Sequence, residues 1–391
     1  MPWKETRVMD QKVQMIGDWL SGEYSVSELS RTYGVSRRTL YKWIGRYELD
    51  PDGGLKERSR LPLRMPRATS VEIVAEILAC KSSHEHWGAR KLLAWLESHQ
   101  PEKKWPAAST TSEVLKRHGM MRSRRKRRHV APYSEPFLRS NQPNEVWCAD
   151  YKGQFRLGEG GLCYPLTLTD SFSRYLLGCW GLEHPCYLPT RSYFECAFCE
   201  YGLPAAIRTD NGVPFASVGL GGLSSLPVWF IKLGIWPERI EKVHPEQNGR
   251  HERLHRTLKA EAISPPRRTI GEQQRAFDRF RASYNSERPH EALGQKTPAS
   301  IYRTSSRKYP TKLPPVEYPR SFKERQVKPN GGFKWRGKEI YLSGVLAGEM
   351  IGLRQLDTAT CKIYFSFYPL GLLDDTTMKI TPIKSVTYVS G

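Results

Sequence analysis

The sequence predicts a multidomain α/β chain: helical units first, an α/β layer in the middle, and a small β domain last. Three observations carry that expectation. Apolar residues recur at helical spacing through the first third of the chain, the period shortens to that of strands near Val146, and strand texture returns from Phe333 onward. The length of 391 residues suits two to four domains at roughly 150 residues each.

Charge narrows the partners. The 61 Lys and Arg against 40 Asp and Glu give a net charge of +21, a field that selects nucleic acid or an anionic membrane. Residues 1–140 carry +11 of it and the longer remainder only +10. No apolar run approaches the roughly 18 residues a bilayer needs, and Met1-Pro2-Trp3-Lys4 opens no secretory signal, so a soluble cytoplasmic protein with no membrane partner is expected. Eight cysteines are scattered without the spacing of a disulfide scaffold, which fits a reducing compartment.

The first elements are helical. Val13, Ile16, Trp19 and Leu20 recur at helical spacing, followed by Val26, Leu29, Tyr33 and Val35, predicting three short helices within residues 1–50. Ser25-Val-Ser-Glu28 sets a hydroxyl three residues ahead of a carboxylate, a capping-box start, and Ser36 is placed to cap the helix Arg37–Glu48. Tyr33-Gly34-Val35 is a tight turn in which glycine takes the left-handed angle. Two short helices around such a turn, the second bearing Arg37, Arg38, Lys42 and Arg46, make a helix-turn-helix pattern whose second helix addresses DNA.

Residues 51–68, mixing Pro, Gly and cations, read as a linker. A second helix-turn-helix-like unit occupies 69–130. Val71, Val74, Ile77 and Leu78 mark one helix, Ala89, Leu92, Leu93 and Leu96 another, and Ser109-Thr110-Thr111 is expected to cap a third running to Gly119. The unit ends in a basic arm, Arg122 to Arg128, in which Arg124, Arg125, Lys126, Arg127 and Arg128 form an unbroken run. Placed between two DNA-binding units and the next domain, it suits phosphate contact better than a solvated tail.

After a linker over 131–144, Val146–Gln154, Leu162–Ser171 and Arg174–Leu182 are rich in β-branched and aromatic residues and predict an antiparallel three-strand meander. A helix over 189–202, a strand Ala206–Thr209, a helix Gln247–Ala262 with Leu254 and Leu258 facing the core, and a last helix Gln273–Tyr284 follow. That order is a ribonuclease-H-like α/β pattern over 145–305. Short strands from Phe333 onward predict a small SH3-like β-barrel within 325–391, with Trp335, Tyr341 and Phe365 in its core.

Three acids stand out by their settings. Asp150 lies within the strand Trp147–Lys152, where a buried charge needs a partner. Asp210 ends a short strand, at the carboxyl edge where α/β sheets place ligands. Glu252 sits one turn into the helix after His244-Pro-Glu-Gln-Asn-Gly249. If they converge, three carboxylates stay ionised together only with a cation between them, and hard oxygen donors without a matching His/Cys set favour Mg²⁺ or Mn²⁺ over zinc. Glu252, Arg256 and Lys259 share one helix face, and Asn248 at the helix start suits close approach to a DNA backbone.

Trp147-Cys-Ala-Asp150 with Leu166-Thr-Leu-Thr-Asp-Ser-Phe-Ser-Arg-Tyr175, then Arg208-Thr-Asp-Asn-Gly212, then His244-Pro-Glu-Gln-Asn-Gly-Arg-His-Glu-Arg-Leu-His255, resemble the three signature blocks of retroviral-integrase-type DDE transposases. Tyr284-Asn-Ser-Glu-Arg-Pro-His-Glu-Ala-Leu293 and Thr297-Pro-Ala299 are similar to the segment that ends the catalytic core in bacterial insertion-sequence transposases. The resemblance implies an enzyme that binds terminal inverted repeats through residues 1–130 and cuts and joins double-stranded DNA, element ends and target alike, as a homo-oligomer. It also implies two Mg²⁺ or Mn²⁺ ions per site, Asp150 bridging both, Asp210 holding one and Glu252 the other. The rival readings are a helix-turn-helix regulator with an inert core and a purely hydrolytic ribonuclease-H-like nuclease.

The interval from Asp210 holds 41 residues to Glu252 and 35 to Glu246; Asn-Gly-x-x-Glu selects Glu252, with the surplus in the loop Gly219–Ser225. Asp170, at a turn before Ser171, is expected to hydrogen-bond locally. Cys196-x-x-Cys199 lacks a second pair, so a buried helix face is expected there rather than zinc.

Overall fold

The computed structural model describes residues 8–57, 68–121, 140–217, 220–240 and 249–383. The chain divides into two compact units, 1–68 and 69–391.

The first unit holds α1 (Val8–Leu20), α2 (Val26–Thr32) and α3 (Arg37–Leu49). The capping box forms as the sequence predicts: the Glu28 carboxylate accepts from the Ser25 N–H at 2.8 Å while the Ser25 hydroxyl accepts from the Glu28 N–H. Ser36 caps α3 through the Thr39 N–H, and Gly34 turns the chain at φ +63°. Met15, Ile16, Leu29, Leu40, Trp43, Ile44 and Leu55 close the core. Because α3 buries positions 40, 43 and 44, its opposite face presents Arg37, Arg38, Tyr41 and Lys42 to solvent.

The second unit opens with α4 (Val71–Ser83), α5 (Ala89–His99) and α6 (Ala108–Arg117), packed on Ile77, Cys80, Trp87, Leu92, Leu96 and Leu115. The expected cap at Ser109-Thr110-Thr111 is not one: α6 begins earlier with Ala107 as its uncapped N-cap, and Thr111 is buried against the helical core instead. α5 is tied to the α/β layer. Lys91 donates to the Pro289 carbonyl, Arg90 pairs with Glu291 at 2.8 Å, and next to them Arg288 holds Glu261 at 2.5 Å.

The α/β layer contains β1 (Val146–Tyr151), β2 (Phe155–Arg156), β3 (Leu162–Asp170), β4 (Leu176–Leu182), α7 (Tyr187–Tyr201), β5 (Ala206–Thr209), α8 (Ser225–Lys232), β6 (Trp236–Arg239), α9 (Gly249–Leu258), α10 (Ile270–Ser286) and α11 (Pro298–Ile301). The main sheet runs β4-β3-β1-β5-β6, with β2 paired to β3. β4, β3 and β1 form the antiparallel meander, while β5 and β6 run parallel to β1. The sheet is thus mixed, with α7 and α8 covering Trp147, Leu166, Leu168 and Ile207 on one face. On the other, α9 and α10 pack Leu254, Leu258, Phe277 and Phe280 against Cys163, Leu176 and Cys179. α8 and β6 were not anticipated, since Pro227 and Pro237 interrupt their patterns; Pro237 is tolerated because β6 is an edge strand.

The last element group is β7 (Lys323–Gln326), β8 (Gly332–Trp335), β9 (Lys338–Tyr341), β10 (Met350–Gln355), β11 (Thr360–Phe365), β12 (Tyr368–Asp374) and β13 (Ile380–Pro382). It is not the closed barrel expected. Five strands form an open sheet, β13-β12-β11-β10-β7, and β8 and β9 pair only with each other among the described residues. Trp335 and Phe365 are buried as anticipated, but Tyr341 is 69% exposed, because it alternates with inward-facing Ile340 along β9. No helix among the described residues is long and apolar enough to cross a membrane.

Candidate active site

Strand pairing brings two of the three acids to the ends of adjacent strands. β1 and β5 run parallel with Cys148 beside Arg208 and Ala149 beside Thr209. Asp150 follows Ala149 within β1 and Asp210 is the first residue past β5, so both acids lie at the carboxyl ends of neighbouring parallel strands. Asp150 is buried. Asp210 leaves the sheet at a turn, where its carboxylate accepts from the Gly212 N–H at 3.1 Å and the neighbouring Asn211 amide donates to the Ile240 carbonyl at 2.6 Å. Burial pushes the Asp210 carboxyl above the ordinary carboxylate range, opposed by the Gly212 hydrogen bond.

The third acid rides on α9. That helix turns His251, Leu254, His255 and Leu258 inward and leaves Glu252 and Arg256 exposed, and Lys259, which opens the π-helical turn continuing it, is exposed as well. His255 reaches the β1–β3 pair: its Nε2 lies 2.8 Å from the Thr167 hydroxyl and its Nδ1 3.9 Å from Asp150 Oδ2. Thr167 is the register partner of Asp150 and donates its hydroxyl to the Asp150 carbonyl at 3.1 Å. Burial pushes the His255 imidazole down to about 3, helped by His251 and Lys152, so the ring is neutral. His251, only 3% exposed, is pushed down to about 4 by burial, and its Nε2 has no hydrogen-bond partner among the described residues.

Among the described residues no three His, Cys, Asp or Glu side chains are gathered closely enough to hold a metal ion. Asp150 and Asp210 fit a hard divalent cation by donor chemistry: two carboxylates at the carboxyl ends of adjacent strands, one of them resisting ionisation through burial. Glu252, exposed on α9, supplies a third oxygen donor of the same kind on the helix that touches Asp150.

The remaining candidates divide. Arg37 and Arg38 stand on the open face of α3, whereas exposed Lys42 and half-buried Arg46 both lie over the Trp43 ring, at 5.0 and 4.9 Å. Arg124, Arg125, Lys126, Arg127, Arg128, Asn248, His244 and Glu246 lie outside the described residues. Asp170 hydrogen-bonds within its own turn as expected, accepting from the Ser173 N–H and hydroxyl, and it also accepts from the N–H of Asn144, 26 residues earlier in the chain. Cys196 and Cys199 are both exposed, not buried: α7 packs through Thr190, Phe194, Ala197, Phe198 and Tyr201, which puts the cysteine pair on the other side. The sequence sets His244, His251 and His255 close to Glu252, which suggests a contact role at the site for one of them rather than a metal-ligand role, but it does not single out Thr167 as the partner, because the Asp150–Thr167 register is set by strand pairing.

Residues 140–245 and 233–298 match the Integrase core domain family, 11–62 match a Helix-turn-helix domain, and 39–115 match a Homeodomain-like domain. An insertion element IS407 uncharacterized 31.7 kDa protein from Burkholderia multivorans is 28% identical over 188 residues, 46% of this chain and 63% of that protein. An insertion element IS476 uncharacterized 39.2 kDa protein from Xanthomonas euvesicatoria is 26% identical over 251 residues, 61% of this chain and 68% of that protein. The chain thus spans a little under two thirds of the first relative. Among solved structures, the HTLV-2 integrase catalytic core domain in complex with magnesium aligns with 42% of the chain at 19% identity and a TM-score of 0.34.

Proposed function

For a chain that carries an integrase core domain and helix-turn-helix domains, we propose a DNA transposase that binds the terminal inverted repeats of its element and cuts and joins DNA at Asp150, Asp210 and Glu252. The observation that supports this reading is the parallel pairing of β1 with β5, Ala149 beside Thr209, which puts the strand ends that carry Asp150 and Asp210 next to each other, with α9 reaching Asp150 through His255. Asp150, Asp210 and Glu252 would hold Mg²⁺ or Mn²⁺, two ions per site, once Glu252 is drawn in with the two strand-end acids, and the metal would supply activation of water or a DNA 3′-hydroxyl and charge neutralisation at the leaving oxygen.

The protein's own residues do the rest. Arg256 and Lys259, exposed like Glu252, draw the phosphate backbone toward the acid edge. The Gly212 N–H fixes the Asp210 carboxylate, and the Asn211 clamp on Ile240 closes that turn. Arg37, Arg38 and Lys42 address the repeat through the open face of α3, with the basic arm Arg124–Arg128 and Asn248 adding phosphate contacts. Two DNA ends must be held together, so the working form is a homo-oligomer on DNA, in the cytoplasm.

The test is incubation of the purified chain with an end-repeat duplex, a target plasmid and Mg²⁺ or Mn²⁺. Joined products are expected, and they are lost in Asp150→Asn, Asp210→Asn and Glu252→Gln. Repeat binding without any nicked or joined DNA would instead identify a regulator with an inert core. Nicks without joining would identify a hydrolytic nuclease, and an active Glu252→Gln beside a dead Glu246→Gln would move the third acid to Glu246.

A further inference from the structure

We infer that His255 and Thr167 form a positioning pair that seats the Glu252 helix on the Asp150 strand and thereby sets the divalent-cation affinity of the site. The inference deepens the transposase reading and rests on its assignment of Asp150, Asp210 and Glu252.

The Thr167 hydroxyl has one hydrogen, and it goes to the Asp150 main-chain carbonyl at 3.1 Å. The same oxygen lies 2.8 Å from His255 Nε2, so with both hydrogen bonds made it accepts there and Nε2 carries the ring's proton. The other nitrogen, Nδ1, is then a lone pair facing Asp150 Oδ2 at 3.9 Å. Two acceptors do not hydrogen-bond to each other, so the ring fixes the Asp150 strand through Thr167 without drawing a proton onto the carboxylate.

Geometry makes this a matter of position. His255 lies three residues past Glu252, one turn along α9, so the two side chains move as one rigid piece. Leu254 and Leu258 bind α9 to the layer by apolar packing, which is non-directional and tolerates sliding. The Thr167–His255 bond is directional, and it fixes α9 to β3 at the level of Asp150. Side chains that orient ligands in this way change metal affinity about 10- to 100-fold when removed.

The experiment is Mn²⁺ titration of the full chain without DNA, following free Mn²⁺ by electron paramagnetic resonance, with thermal unfolding of each variant alongside. Thr167→Val keeps the shape and removes the hydroxyl; His255→Leu removes the donor; His255→Gln restores an N–H at nearly the reach of Nε2. Thr167→Val and His255→Leu are expected to weaken Mn²⁺ binding about tenfold, and His255→Gln to stay within about twofold of the unsubstituted chain. A merely structural role would lower the unfolding temperature and leave the Mn²⁺ constant unchanged. Unchanged Mn²⁺ binding in both Thr167→Val and His255→Leu overturns the inference, as does a His255→Gln as weak as His255→Leu, or an unsubstituted chain with no saturable Mn²⁺ site. Should His255→Leu fail to fold, Thr167→Val decides. Saturable, Asp150-dependent Mn²⁺ binding without DNA joining would sink the transposase reading and leave the positioning pair standing.

Discussion

Asp150 and Asp170 are both aspartates of the central sheet, and their surroundings give them different work. Asp170 accepts from the Asn144 N–H at 2.8 Å, the Ser173 N–H at 2.7 Å and the Ser173 hydroxyl at 2.6 Å, which fills a fully buried carboxylate. Truncation leaves buried donors without acceptors, so Asp170→Ala should cost about 3 kcal/mol in calorimetric unfolding while Mn²⁺ affinity in the folded protein holds. Lost Mn²⁺ binding with an unchanged melting temperature would make Asp170 a metal ligand instead. The buried histidines act through pH. His290 is pushed down to about 3 by burial, with Lys91, Arg288 and Arg174 adding repulsion, from an ordinary value of 6.5. Between those values the unfolded chain binds a proton that the folded chain refuses, so stability is full above pH 6.5 and falls as the pH drops toward 3. His251 adds to the fall in the same direction. The slope should reach up to about 1.4 kcal/mol per pH unit for each such histidine, and His290→Gln should flatten it. A His290→Gln chain whose unfolding temperature follows pH as the unsubstituted chain's does would refute that assignment.

At the scale of the element, α3 separates its cations by what lies beneath them. Arg37 and Arg38 are exposed, whereas Arg46 packs on Trp43 with Nη1 buried and unpartnered among the described residues. Arg37→Ala and Arg38→Ala should each weaken binding to an end-repeat duplex and reduce the slope of log affinity against log salt by about 1. Arg46→Ala should leave that slope in place and instead shift the unfolding of the first unit; the reverse pattern would mean that Arg46 swings out to DNA. α3 was readable from sequence because its cap at Ser36 and its turn at Gly34 are local signals. α8 and β6 were not, because Pro227 and Pro237 mask the periodicity and β6 gains its place only by pairing with β5. The site divides in the same manner. The motif around each acid is local and legible, but the placing of Asp150 and Asp210 at adjacent strand ends and the contact of His255 with Thr167 depend on strand pairing and helix docking across the chain.

At the scale of the whole molecule, the apolar core does not follow the segments that composition suggests. The C-terminal sheet was legible as short strands, yet nothing local announces that its interior is continuous with the α/β layer. Phe333, Trp335, Ile351, Ile363 and Phe365 belong to one buried cluster with Val146, Ala206, Val228, Ile231 and Trp236. Lys232 and Glu349 add a half-buried ion pair between α8 and the C-terminal β group, at 2.7 Å. Removing residues 311–391 would therefore bare one side of the sheet beside β5 and β6, exposing Trp236 and Val228 to water, where each large apolar side chain costs about 1.5–3 kcal/mol. A chain ending at Pro310 should lose at least about 10 °C in melting temperature relative to residues 69–391, or aggregate. The chain 69–391 itself should melt as the full chain's second unit does, because residues 1–68 form a separate compact unit with its own core around Leu40 and Trp43. Calorimetry on the three lengths decides the matter. A chain ending at Pro310 that melts as 69–391 does would show that the shared cluster contributes no stability to the α/β layer, and that the C-terminal sheet folds as an independent domain.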